Sequence, residues 1–219
     1  MNDRVAAAAE RAQHIRQRCD RPSQRRCAEH SAARSVARVP ASIELREKGD
    51  GGGMEFLGYA TVYERAYEMW DFYGPYTEIV SAGAGADSLA RADLDVPLVL
   101  GHDQLRRLAR TSTGTLTLAE DDNGLRVHAA QLDPADYDVQ YIAPKLRAGL
   151  IDEMSFAFRI EAGQWSPDYT EYRITRYDIH RGDVAIVGFG ANPATEASLR
   201  ERPVASSRAR ALLELALAR

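Results

Sequence analysis

Gly149-Leu150-Ile151-Asp152-Glu153-Met154-Ser155-Phe156-Ala157-Phe158-Arg159-Ile160 is the stretch whose reading decides the fold. From Glu153 onward it alternates, with Met154, Phe156, Phe158 and Ile160 on one side and Ser155, Ala157 and Arg159 on the other. That is the period of a strand with one face against a core. Just upstream, Asp136 to Ala148 has helical spacing despite Pro144, and Gly149 is the residue type that tolerates a left-handed cap. A helix therefore hands over directly to a strand. Ser155 leaves the main apolar face of that strand with only the small Ala157 beside it, as a nucleophile needs. In isolation, an ordinary strand serine bonded to backbone or water gives the same pattern.

Working outward, Leu116-Thr117-Leu118 and Leu125-Arg126-Val127 flank Asp121-Asp122-Asn123-Gly124, and Asn-Gly predicts a tight hairpin with positive φ angles. Further back, Val96 to Leu100 reads as a buried strand that delivers His102 at its end, in Gly101-His102-Asp103. Asp87 to Arg91 reads as a short helix capped by Asp87, and Met54 to Tyr63 as a strand rich in β-branched and aromatic residues. On the other side, Gly182 to Val187 forms a strand with Asp183 and Ala185 on one face and Val184 and Ile186 on the other, preceded by His180. Strands outweigh helices, so the class is α+β and β-rich.

Composition bounds the remainder. Hydrophobic residues at 45% and charged residues at 27% suit a folded core. No run reaches the roughly 18 apolar residues of a membrane helix, and the start lacks the apolar core of a signal peptide, so no membrane partner is expected. Charge is uneven: residues 1–40 hold nine Arg against Asp3, Glu10, Asp20 and Glu29, a net of +5 that leaves −9 elsewhere in a chain of net −4. The divisions expected are a flexible basic arm and Gly-rich joint over 1–53, a folded domain over 54–199 and a helical tail over 200–219, with Leu212, Leu213, Leu215 and Leu217 on one face of that tail. Such an arm is a solvated extension first, and a contact for nucleic acid or an acidic scaffold second. The only cysteines, Cys19 and Cys27, lie in it, and with His14 and His30 they offer zinc-ligand types without the short Cys-Cys spacing of known small sites. No metal or cofactor is expected.

A serine nucleophile needs an imidazole to take its proton, and the imidazole needs an acceptor to fix its tautomer. His102 and Ser155 supply the first two, and Asp183 or His180 the third. No Gly-x-Ser-x-Gly elbow or Gly-rich phosphate loop occurs, which sets aside α/β-hydrolases, kinases and dinucleotide enzymes.

The ordered segments Gly58-Tyr59-Ala60, Leu100-Gly101-His102-Asp103, Leu116 to Leu125, Gly149 to Phe158 and Asp183-Val184-Ala185-Ile186-Val187 with Asn192-Pro193-Ala194 resemble the prohead (capsid maturation) serine protease family of tailed bacteriophages and related prophage elements. The resemblance covers about Met54 to Leu199. It implies a fold similar to herpesvirus assemblin proteases, a closed antiparallel-type β-barrel surrounded by helices. It also implies His102 as general base, Ser155 as nucleophile and Asp183 as third member, with His180 a rival because the herpesvirus enzymes place a histidine there. Two departures stand out: Ser81 to Asp87 where the family has Pro-Gly-Ala-Phe, and Ala109-Arg110-Thr111 where relatives have Gly-Arg-Thr or Gly-Arg-Val. The turn from Gly188 to Asn192 is the expected source of oxyanion donors, through Gly188 and Gly190. Substrates implied are capsid-protein or scaffold segments inside the assembling prohead in the host cytoplasm, together with self-cleavage and self-association. The alternative is a non-catalytic virion or scaffold component with the same fold.

Overall fold

A computed structural model describes residues 3–22, 39–40, 44–47 and 53–188. In chain order the elements are α1 (Asp3–His14), β1 (Val39–Pro40), β2 (Glu44–Glu47), β3 (Met54–Val62), β4 (Tyr67–Trp70), β5 (Pro75–Val80), α2 (Ala86–Leu89), β6 (Pro97–Leu100), β7 (Asp103–Arg110), β8 (Thr117–Glu120), β9 (Gly124–Leu132), α3 (Tyr137–Arg147), β10 (Glu153–Trp165) and β11 (Glu171–Val187). The expected C-terminal helix lies outside the described residues.

The strands form two open sheets, which corrects the closed antiparallel barrel. One is four-stranded, in the order β2-β3-β9-β8; the other runs β1-β10-β11-β5-β4 and branches at β11 to β6 and β7. The physical cause of the openness is β11. Its first half pairs in parallel with β5, from Glu171 opposite Thr77 to Ile174 opposite Val80, and its last residues pair in parallel with β6, from Val184 opposite Leu98 to Ile186 opposite Leu100. The ladder forks there and ends in two edges, so no single ring of hydrogen bonds can close. The core lies between the sheets, where Phe56, Leu125, Val127 and Ala129 meet Met154, Ile174, Tyr177, Val184 and Ile186, with Val139, Ile142 and Leu146 of α3 joining them.

Local chemistry explains the elements. Asp136 caps α3 by accepting from the Asp138 and Val139 amides, and Gly149 beyond its end has φ 64°, as its residue type predicts. Asp87 does not cap α2: the cap position is Gly85, with no side-chain bond, and Asp87 sits within the first turn. The hairpin between β8 and β9 forms where Asn-Gly places it, but neither Asn123 nor Gly124 has positive φ. Its turn is instead closed by Asp121, which accepts from the Asn123 and Gly124 amides and from Tyr59 Oη. Burial pushes the Asp121 carboxyl up, but these three donors outweigh it and hold the group below the usual carboxylate range.

Residues 3–22, read from composition as part of a flexible arm, pack on the large sheet. Arg11 is fully buried: its guanidinium donates from Nε to Asp71 Oδ2 at 2.7 Å and from one terminal nitrogen to Asp71 Oδ1 at 2.9 Å and Gly74 O at 2.6 Å. It also lies 5.0 Å from the Tyr76 ring centre and 5.1 Å from that of Trp165. Trp165 donates its backbone and indole N–H to the carbonyls of Arg18 and Asp20. A charge count sees a basic arm; one of its arginines is a core residue, because it meets a buried carboxylate and backbone carbonyls that need donors.

Asp178 of β11 accepts from Arg159, from Ser88 Oγ and from the His180 amide. Burial raises its carboxyl, but these donors outweigh burial and pull it to about 2. A folded value below the unfolded one of about 3.9 means the stabilisation is complete above that pH and is lost as pH falls toward 2. Asp178→Asn is therefore expected to flatten the decline in unfolding free energy between about pH 4 and pH 2, measured by urea titration at each pH. An unchanged slope would exclude Asp178 as a source of that decline.

Candidate active site

The site forms where three strands lie side by side. β10 pairs antiparallel with β11, with Ser155 opposite Ala185 and Ala157 opposite Asp183, so these four share a face. Met154, Phe156, Val184 and Ile186 point the other way into the core, while Val99, Ala185 and Val187 make a small separate apolar cluster. Alternation takes each of the serine and the aspartate off the apolar face of its own strand, as the sequence predicts, and the pairing register puts them on one side.

The strand pattern is broken where Asp183 is set. Between Ala157 opposite Asp183 and Arg159 opposite Asp178 the register shifts, so β11 carries extra residues. Arg181 takes φ 59°, and a Cβ at Gly182 would lie 1.8 Å from the Ala157 carbonyl oxygen. Only glycine permits that approach, and the bulge it allows re-aims the strand immediately before Asp183.

His102 arrives from the next strand. Leu100 pairs with Asp103, so Gly101 and His102 are the two residues of a hairpin turn, each with φ 61°. Positive φ at both positions marks a primed turn, which asks for glycine and is uncommon for histidine. The Gly101 amide donates to Ile186 O at 2.8 Å, tying the turn to β11. His102 is therefore in the turn itself, not on the end of a strand, and held in a conformation costing of order 1 kcal/mol.

His102 Nδ1 lies 2.6 Å from Asp183 Oδ1, and His102 Nε2 lies 3.0 Å from Ser155 Oγ. A carboxylate only accepts, so Nδ1 carries the proton and Nε2 is left to accept from the serine hydroxyl. Asp183 and Ser155 are buried, at 3% and 2% exposure, whereas the His102 side chain is 30% exposed. A hydroxyl, an imidazole base and a buried carboxylate in one hydrogen-bonded line can carry out nucleophilic acyl transfer.

A sequence model of the caudovirus prohead serine proteases matches residues 41–209. The chain belongs to this family. It is a serine peptidase of phage prohead maturation. Comparisons with curated proteins and with solved structures gave no match.

The rival third residue of this prohead protease is engaged elsewhere, since His180 Nδ1 accepts the Asp95 amide at 3.2 Å. Gly188 follows β11, whose last residue Val187 pairs with Glu153, and is exposed; Gly190 lies outside the described residues. β1 runs along the free edge of β10 at the nucleophile, with Val39 opposite Met154. Of the zinc-type residues in the arm, His14 stacks on Tyr73 and Cys19 is exposed, while Cys27 and His30 lie outside the described residues. The described residues contain no metal-holding cluster of His, Cys, Asp and Glu, and none of their helices is long and apolar enough to cross a membrane. Gln104, which the sequence did not single out, donates from Nε2 to Asp183 Oδ2 at 2.7 Å. A lone glutamine in a polar stretch gives no signal by type; only its position two residues after His102 draws attention to it.

Proposed function

We propose that this enzyme is an endopeptidase that cuts capsid-protein or scaffold segments in the immature head, with Ser155 as nucleophile, His102 as general base and Asp183 as its partner. The supporting observation is the unbroken line from Ser155 Oγ through both His102 nitrogens to Asp183. As Oγ attacks the scissile carbonyl carbon, its proton passes to His102 Nε2, and the imidazolium faces the Asp183 carboxylate. The imidazolium then protonates the leaving amine nitrogen, the C–N bond breaks, and an acyl-serine remains. Water, deprotonated by His102, attacks that ester; the new carboxyl product leaves and Oγ regains its proton. The Gly188 amide, at the same end of the sheet as Ser155, and that of Gly190 are the proposed oxyanion donors. Ala157, small and partly exposed on the same face as Ser155, is the side on which an extended peptide is proposed to lie. The basic arm is proposed to meet acidic scaffold or nucleic acid through those of its arginines that are not buried, and the enzyme is proposed to self-associate and to cut its own chain.

A serine-directed phosphonate provides the test. It is expected to label wild type at Ser155 and to leave His102→Ala unlabelled, with the modified residue assigned by peptide mass spectrometry. Absence of label from a folded wild type, or equal labelling of both, would reject the assignment and favour a non-catalytic head component.

A further inference from the structure

The line of hydrogen bonds does not stop at Asp183, and we infer that Gln104 is a positioning residue that fixes the Asp183 carboxylate for His102. This rests on the triad reading above. Asp183 has two oxygens, and the geometry gives each a separate donor: Oδ1 faces His102 Nδ1 at 2.6 Å and Oδ2 receives Gln104 Nε2 at 2.7 Å. A carboxylate held by one bond can swing about its side-chain torsions; held at both oxygens, it presents Oδ1 in one orientation.

The backbone that delivers Gln104 is built for the purpose. Between Val99 opposite Arg107 and Leu100 opposite Asp103, β6 advances one residue while β7 advances four. The three extra residues, Gln104, Leu105 and Arg106, make a bulge directly after the His102 turn. Two bonds lock it: the Leu105 amide donates to Asp103 Oδ1 at 2.9 Å, and Arg107 Nε donates to Gln104 O at 2.7 Å. Arg107 also reaches Gln104 Oε1, at 3.4 Å. A cation at Oε1 and a carboxylate at Nε2 agree on which way the amide faces, since the reversed amide would set oxygen against oxygen and N–H against guanidinium. One turn and one bulge therefore place both of Asp183's partners, His102 and Gln104, from a single hairpin. Leu105 beside them is almost fully exposed, so core packing does not explain the excursion.

The experiment measures kcat and KM on a quenched fluorescent peptide that the wild type cuts, for Gln104→Met, Gln104→Glu, Asp183→Asn and the double variant Gln104→Met/Asp183→Asn. Gln104→Met keeps length without the donor and is expected to lower kcat about 10- to 100-fold at unchanged KM and melting temperature. Gln104→Glu, which sets carboxylate against carboxylate, is expected to lose at least as much. In the Asp183→Asn background Gln104→Met should cost little more, because its target is already gone. The far-downfield proton signal of His102 Nδ1–H should shift or broaden in Gln104→Met, which a purely structural role would not produce. Wild-type kcat in both Gln104 variants, or full additivity with Asp183→Asn, would overturn the role of Gln104 while leaving the triad standing. Unchanged kcat in Asp183→Asn would instead remove the triad reading on which it rests.

Discussion

Ser155→Ala is expected to lower cleavage of a peptide that the wild type cuts by about a million-fold, down to the level that binding and oxyanion donors sustain without a nucleophile. The reason is geometric: Oγ lies 3.0 Å from His102 Nε2, and among the described residues no other hydroxyl is within hydrogen-bond reach of that nitrogen. His102→Ala should cost about as much, and the double variant no more than either, because base and nucleophile act as one unit. Folding should survive, since the change only removes a hydroxyl whose sole described partner is a partly exposed imidazole. Single-turnover kinetics and melting temperature check both halves. The same variant, set beside wild type in whole-chain mass spectrometry, reads out self-cleavage, and identical fragment patterns would exclude it. Residual cleavage within about tenfold of wild type by a folded Ser155→Ala protein would remove Ser155 from the mechanism.

Arg11→Ala carries the largest expected effect on stability, a loss of about 3–5 kcal/mol, because it leaves the buried Asp71 carboxylate without its cation and takes a donor from each of the Gly74 and Pro75 carbonyls. For a domain of this size that corresponds to a fall in melting temperature of roughly 6–20 °C. Asp71→Asn combined with Arg11→Ala should cost less than the two separately, since the stranded charge is removed along with its partner. Catalysis by the folded fraction should hardly change. Arg11 packs on Trp165 at the far end of β10, ten residues from Ser155 and therefore about 30 Å along the strand. A change below about 1 kcal/mol would show that α1 is dispensable and that the arm is a separable extension after all.

The two variants probe opposite ends of what could be read in advance. That Ser155 and Asp183 each leave the apolar face of their own strand was legible because strand alternation is a local rule, and β10 and β11 obey it from Met154 to Phe156 and from Asp183 to Val187; that the two share a face came from the pairing register. The choice between Asp183 and His180 was not legible. Gly182 and Arg181 insert a bulge between them, and a bulge that depends on close approach to the Ala157 carbonyl belongs to the pair of strands, not to either one. The hairpin at Asn123-Gly124 was placed correctly from its residues, yet its closure by Asp121 depends on a tyrosine from β3. The first half of β11 escaped notice because its alternation breaks: Tyr172 and Ile174 are buried in turn, but Thr175 and Arg176 are both exposed and Tyr177, Asp178 and Ile179 are all buried.

By itself, the sequence determined the local periodicities: a helix ending at Gly149, a strand carrying Ser155 off the core face, a histidine after an apolar run and a family pattern tying them together. Those are properties of neighbours in the chain, set by backbone geometry and side-chain type. Tertiary structure alone decided that the sheets stay open, that Arg11 is core and not arm, that Asp183 faces His102 while His180 turns to Asp95, and that Gln104 holds the far oxygen of Asp183. Each of these depends on residues 53 or more positions apart meeting at fixed distances, from Arg11 with Asp71 to Ser155 with His102, and only pairing between strands brings such groups within hydrogen-bond reach.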